Sequence, residues 1–151
     1  QGLEAALAAA GDGRARYEVL QPHYNLLVRD QYEGEREDVC VAEGLGVIPY
    51  FSLASGFLTG KYRTESDLKK SPRGSQMKSL LQGRGQCILT ALDTVAARHN
   101  ATPAQVALAW LMARPSITAP IASATSLSQL KEILSSADIA LSPDDIATLD
   151  V

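Results

Sequence analysis

The chain has 151 residues, of which 46% are apolar and 21% charged, and its formal net charge is −3. That length can bury a core of its own, and the balance of apolar to charged residues excludes a disordered chain. A mildly acidic chain without a basic run offers no footprint for nucleic acid or for an anionic membrane, and no apolar stretch reaches the ~18 residues of a spanning helix.

In chain order, QGLEAALAAA lacks the basic start and cleavage pattern of a signal peptide and reads as the end of a helix, stopped by Gly11 and Gly13. Tyr17 to Gln21 is short and β-prone, and Pro22 closes it. A helix over Glu35–Glu43 is expected to bury Val39, Cys40 and Ala42, with Gly44 and Gly46 at its exit. Val47–Phe51 is the second expected strand. From Thr64 to Gly85 the composition turns to Lys, Ser, Arg and Gly, so this segment is expected to be a poorly anchored excursion, a mobile flap. Cys87–Asn100 reads as a helix with Ile88, Leu92, Val95 and Ala96 on one face. Thr102 and Pro103 give a strong start to the next helix, which stops before Pro115. Ile117–Ala122 is the third expected strand; Ser126 or Ser128 then starts a helix, and Ser142–Pro143 the last. Cys40 and Cys87 have no motif spacing, which suits reduced, buried thiols in a cytoplasmic protein.

Short strands alternating with helices imply parallel βαβ units. Three strands close no barrel, so residues 1–151 read as one partial domain, the back portion of a larger α/β domain. In such folds ligands sit at the strand ends. Gln21 there is a capped amide or a ligand donor, and Tyr50 is a core ring or a stacking platform. Ser52, Ser55 and Gly56 can present hydroxyls and amides to a phosphate. Lys61 taken alone is a solvated charge. Ser123, Ala124, Thr125 and Ser126 lead into a helix whose N-terminus suits an anion or a plain capping turn. His23 reads as a loop residue without a partner, and His99 as a surface residue at a helix end.

QPHYNLLVRD, PYFSLASGFLTGKY and TPAQVALAWLMARPSITAPIASATSLSQLKE resemble, in order and over nearly the whole chain, three segments of the aldo-keto reductases. The resemblance implies the C-terminal part of a (β/α)8 TIM barrel, from the helix before its sixth strand onward, with three parallel strands and helices. It implies that Gln21 bonds the nicotinamide amide, Tyr50 stacks on its ring, and Leu53 and Ser55 line the pyrophosphate. Ser123, Thr125 and Ser126 would lie near the adenosine phosphate, and Gln129 and Glu132 would face the adenine. The cofactor implied is NADP, with NAD the alternative, and the substrate a small-molecule carbonyl.

The chain departs from the family pattern in places. Phe51 and Ser52 stand for a Ser-Pro pair, Ser123 for a glycine, and Ile133 for an adenine-facing asparagine. Thr125 stands where many relatives carry a cation for the 2′-phosphate. The family's catalytic Asp, Tyr, Lys and His come from earlier strands; no residue here matches them, and neither Tyr24 nor Lys61 is assigned the role. The chain alone is therefore expected to be inactive, the cofactor-binding half of a reductase of aldehydes or ketones. The alternative is a non-catalytic binding or structural subunit. Self-association through the exposed half-barrel face is a further expectation.

Overall fold

The structure is a computed structural model that describes residues 2–10, 13–72 and 74–151. The expected stop at Gly11 lies outside the described residues. Its helices are α1 (Gly2–Ala8), α2 (Glu35–Ala42), α3 (Arg84–His99), α4 (Pro103–Met112), α5 (Leu127–Ser135) and α6 (Pro143–Leu149). Two strands, β1 (Val19–Leu20) and β2 (Gly46–Val47), pair in parallel with Val19 opposite Gly46 and Leu20 opposite Val47. A parallel bridge between His23 and Tyr50 continues the ladder. The strands are shorter than expected because Ile48 donates to the Leu20 carbonyl, but the reciprocal bond would need an N–H from Pro22.

The third expected strand is not formed as one. Residues 117–122 do run beside β2: Thr118 N–H donates to the Val47 carbonyl at 2.9 Å and Ile121 N–H to Pro49 at 3.0 Å. The return bonds fail for local reasons. Pro49 has no N–H, and the Val47 N–H is taken by the Thr118 hydroxyl at 3.0 Å. Phe51, at φ 56°, then leaves the extended region altogether.

The core is one cluster built around Trp110, Tyr24, Tyr32, Tyr62 and Phe57, all essentially inaccessible to water. Helix α4 is buried over nearly all of its length, which its apolar sequence allows. Helix α3 turns Ile88, Leu92, Val95 and Ala96 inward as expected, together with Leu89 and Ala91. Each large side chain so buried contributes about 2 kcal/mol of transfer free energy. Cys40 is buried but Cys87 is exposed, on the face of α3 opposite Leu92, so only one thiol meets the expectation. On α2 only Cys40 is fully buried; Ala42 is exposed.

Segment 64–85 is better anchored than its composition suggests. Two 3-10 helices, Glu65–Lys70 and Gly74–Leu81, occupy most of it. Met77 is buried, and Leu68, Leu80 and Leu81 pack against the core. Asp67 accepts from the N–H groups of Arg63 and Thr64 at 3.0 and 2.8 Å, stapling the first of these helices. Four apolar side chains at irregular spacing supply the anchors that a reading for periodicity passes over.

Helix α5 differs from the others. None of its residues is fully buried, and Leu127, Leu130 and Leu134 lie exposed along one side. Tyr17 and Val19, at the open edge of β1, are exposed as well. No helix among the described residues is long and apolar enough to cross a membrane.

Candidate functional site

The segment after β2 has an unusual backbone. Phe51, Ala54 and Ser55 all have positive φ, at 56°, 47° and 55°, and Gly56 and Gly60 follow at 91° and 76°. Non-glycine residues rarely adopt this region, and clusters of them recur at active sites, ligand clamps and switch regions. Buried Phe57 and Leu58 pin the segment from below. Thr59 bonds its hydroxyl to the Gly56 carbonyl at 2.8 Å.

Two buried polar side chains tie this loop to its neighbours. Asn25, fully buried, donates its amide to the Phe51 carbonyl at 2.9 Å while its carbonyl accepts from the N–H groups of Leu27 and Val28. Ser52, which replaces the family's proline, donates to the Ile121 carbonyl at 2.8 Å and faces the Pro49 carbonyl at 3.2 Å. The hydroxyl thus does what a ring would do: it fixes the chain's exit from β2. The sequence does not single out Asn25; it offers Ser52 as a hydroxyl for a phosphate, but that side chain is buried and given to main-chain carbonyls. A lone polar residue within the run YNLL is the signal that could have found Asn25.

Beyond the loop, a cavity of about 690 Å³ opens toward α5. Leu53, Ser55, Ser123, Thr125, Gln129 and Glu132 line it, with Gly56, Lys61 and Ile133. Six of the nine residues expected at a cofactor thus share one cavity. Gln21, Tyr50 and Ser126 do not line it. Gln21 is exposed beside the end of β1. Tyr50 is 38% exposed, in ring contact with His23 at 5.2 Å and with Phe51 at 5.1 Å. His23 therefore has aromatic partners, contrary to expectation. Ser126 caps α5, its hydroxyl accepting from the Gln129 N–H.

The cavity's polar groups are partly committed. Thr125 donates both its N–H and its hydroxyl to Gln129 Oε1, at 2.9 Å each. Glu132 Oε1 accepts from the Thr102 hydroxyl at 2.6 Å, so the cap of α4 is wired into the same wall. On the loop side, a Cβ at Gly56 would lie 2.9 Å from Lys61 Nζ. The missing side chain leaves room for the ammonium, which also lies 5.0 Å from the Tyr62 ring. Lys61 is the cation on the loop side, while the N–H groups of Ala54, Gly56, Leu58 and Gly60 are given to carbonyls within the loop.

A second cavity of about 460 Å³ adjoins the first and shares Phe51 and Ser55 with it. His23, Met77 and Leu80 contribute to its lining.

Tyr24 is not placed for catalysis. It is buried, donates to Glu33 Oε1 at 2.7 Å, and packs on Tyr32 and Trp110. Burial, reinforced by the Glu33 carboxylate, pushes its phenol far above the usual range. Burial would raise Glu33 itself, but hydrogen bonds from Arg29 and Tyr24 outweigh it and hold that carboxyl below its ordinary value. His99 is half-buried and hydrogen-bonded to Asp145 at 2.8 Å, so it joins two helices where a surface role was expected. No cluster of metal-ligating side chains occurs among the described residues.

Comparison with known proteins gives this geometry a family. The model of the aldo/keto reductase family matches residues 4–151. The chain is 33% identical over 132 residues to "Probable aldo-keto reductase 1" of Glycine max, covering 84% of this chain and 37% of that protein. It is 30% identical over 126 residues to "Probable voltage-gated potassium channel subunit beta" of Arabidopsis thaliana, covering 80% of this chain and 38% of that protein. Among solved structures, the thermostable aldo-keto reductase Tm1743, determined with the inhibitor epalrestat, superposes with a TM-score of 0.68 at 23% identity. That superposition covers 95% of this chain and 42% of the Tm1743 chain, and it carries the fold. The chain spans about two fifths of the length of these relatives, and its architecture is the C-terminal segment of a (β/α)8 barrel. On its motifs, its fold and the match of 4–151 to the family model, the chain belongs to the aldo/keto reductase family.

Proposed function

We propose that residues 1–151 form a partial domain, the cofactor-binding part of a nicotinamide-dependent reductase of aldehydes or ketones. The cofactor is NADP(H) as the resemblance implies, with NAD(H) the alternative. Supporting this reading, six residues from two distant stretches of chain, 53–55 and 123–132, line one cavity that also holds Lys61. When bound, nicotinamide supplies a hydride to a carbonyl carbon. This chain's own residues act as binder and orienter. The 51–61 loop and Lys61 hold the phosphates, and the α5 wall receives the adenosine. Gln21 and Tyr50, at the ends of the paired strands, steady the nicotinamide end. The groups that protonate the carbonyl are not among the residues of this chain, so the chain alone turns over no substrate. Two free thiols and no membrane-length helix among the described residues suit a cytoplasmic setting.

The test is an NMR titration of the labelled chain with ADP-ribose. Shifts at Ser55, Gly56, Lys61 and Thr125 are expected at millimolar ligand. No shift at that concentration, or shifts confined to other surfaces, would overturn the reading.

A non-catalytic subunit is the second reading. It is favoured by the likeness to a channel β-subunit and by the exposed leucine stripe of α5, a face through which copies of the chain would associate. Sedimentation of the chain across a concentration series distinguishes self-association from a monomer.

A further inference from the structure

We infer that Asp150, just past α6, and Glu33 are positioning residues for the loop after β2, and that they act on it through Asn25. The inference deepens the reading of that loop as the holder of phosphates. Its test uses no nucleotide, so the two can fail separately. Asn25 sits in the turn 25–28, where the Asn25 and Val28 N–H groups each donate to the other's carbonyl, at 3.2 and 3.1 Å. These bonds, with those from the Leu27 and Val28 N–H groups to Asn25 Oδ1, fix the shape of the turn. They do not fix its height against Phe51. Strand pairing ends at the bridge between His23 and Tyr50, where the Pro22 carbonyl accepts from Tyr50 N–H at 2.9 Å. Buried Leu26 seats the turn in the core, but apolar contact is not directional. Arg84 reaches the Leu26 and Leu27 carbonyls at 3.5 and 3.4 Å, beyond the usual range.

The two residues that flank the turn carry the directional ties. On one side Tyr24 donates its hydroxyl to Glu33 Oε1 at 2.7 Å. On the other, Arg29 donates Nε–H to the same oxygen at 2.8 Å and Nη1–H to Asp150 Oδ1 at 2.8 Å, across 121 residues of chain. Asp150 Oδ1 also accepts from Trp110 Nε1–H at 2.9 Å and from Arg114 Nη2–H at 2.8 Å. Both guanidiniums lie by the Trp110 ring, 5.5 and 4.4 Å from its centroid. Exposed ion pairs contribute little, but the side chains of Arg29, Glu33, Arg114 and Asp150 are only 20% to 28% exposed, and their bonds are charge-assisted and shared in one network. None of these cluster residues lines either cavity at the loop. The residue they hold in register is Asn25, and its amide takes the Phe51 carbonyl where the loop begins.

Native-state hydrogen exchange of the chain, read by NMR, tests this. The reporters are the Gly56 and Leu58 N–H groups, both bonded to the Leu53 carbonyl, with Leu92 and Val95 on the buried face of α3 as reference. Asp150→Ala is expected to speed exchange at the two loop amides about tenfold more than at the reference amides, the order of one lost charge-assisted bond. In an Asn25→Ala background the same substitution should add less than about twofold at the loop, because its route is already cut. A tenfold effect that persists in that background overturns the inference, since it would travel through α4, which also packs on residues 54–59. Equal acceleration at loop and reference amides marks a cluster that serves global stability alone, and it overturns the inference too, as does a loop that does not respond. Tyr24→Phe keeps the ring packing and severs only the bond to Glu33, so it decides the matter if Asp150→Ala or the double variant fails to fold. It should speed the loop amides about threefold relative to the reference, and an unmoved loop in that variant overturns the inference.

Discussion

The Asn25 side-chain amide donates to the main-chain carbonyl of Phe51 across 26 residues, at 2.9 Å. Phe51 is the first of the positive-φ residues that shape the loop, and Asn25 is fully buried. One side chain thus holds the ends of two neighbouring strands at a common height, where the loop must begin.

Replacing Asn25 by Ala should cost about 3 kcal/mol, because the Phe51 carbonyl and the Leu27 and Val28 N–H groups lose their partner in a dry site. Urea denaturation with an unchanged slope would register this as a lowered midpoint. Asn25→Asp should fail to rescue it, since a carboxylate would face the Phe51 carbonyl with no proton to share.

Asp145 links stability to acid. Hydrogen bonds from His99 first, then from Arg98 and Ser142, hold its carboxyl well below the usual carboxylate range. A depressed folded pKa contributes stability that is fully present above the unfolded value near ~4 and is lost as pH falls below it. Asp145→Asn should therefore lower the urea midpoint at pH 7 and flatten the decline on the acid side. An acid limb as steep as that of the unaltered chain would mean that other carboxylates carry the effect.

Gly74 tests whether segment 64–85 is packed or loose. A Cβ at this position would fall inside the van der Waals envelope of the Leu68 carbonyl oxygen. Gly74→Ala should destabilise the chain by about 1–3 kcal/mol and speed tryptic cleavage after Lys69 and Lys70. Unchanged cleavage would show that the two 3-10 helices are not held together in solution.

Among the described residues, Lys61 is the one cation lining the 690 Å³ cavity. Lys61→Ala should weaken ADP-ribose binding by about 1–2 kcal/mol and reduce its dependence on salt. Calorimetry at two ionic strengths measures both. A loss of affinity with no change in salt dependence would place the phosphates elsewhere.

Much of the local structure was legible because it is specified by neighbours in sequence. Thr102 and Pro103 start α4 through a cap and a preset φ, with Thr102 N–H bonded to Gln105 Oε1 at 2.8 Å, and both signals lie within four residues. Ser142 with Asp145 does the same for α6. The apolar face of α3 is written in a period of 3.6. The motifs that mark the family were equally plain, because each is a continuous run of residues.

What only the tertiary structure decided is what depends on residues far apart in the chain. The third strand failed through register: Thr118 met Val47 and Ile121 met Pro49, and no property of 117–122 alone shows which N–H will be missing opposite it. Cys87 fell on the outer face of its helix, and His99 found Asp145 46 residues away. The cavity is the same kind of fact. The types of Lys61, Thr125 and Glu132 are given by sequence, but their meeting around one volume, with Gln129 consuming both donors of Thr125, follows from the packing of α5 beside the loop after β2. Chemistry at a site depends on distance, and distance between remote residues is set by the fold.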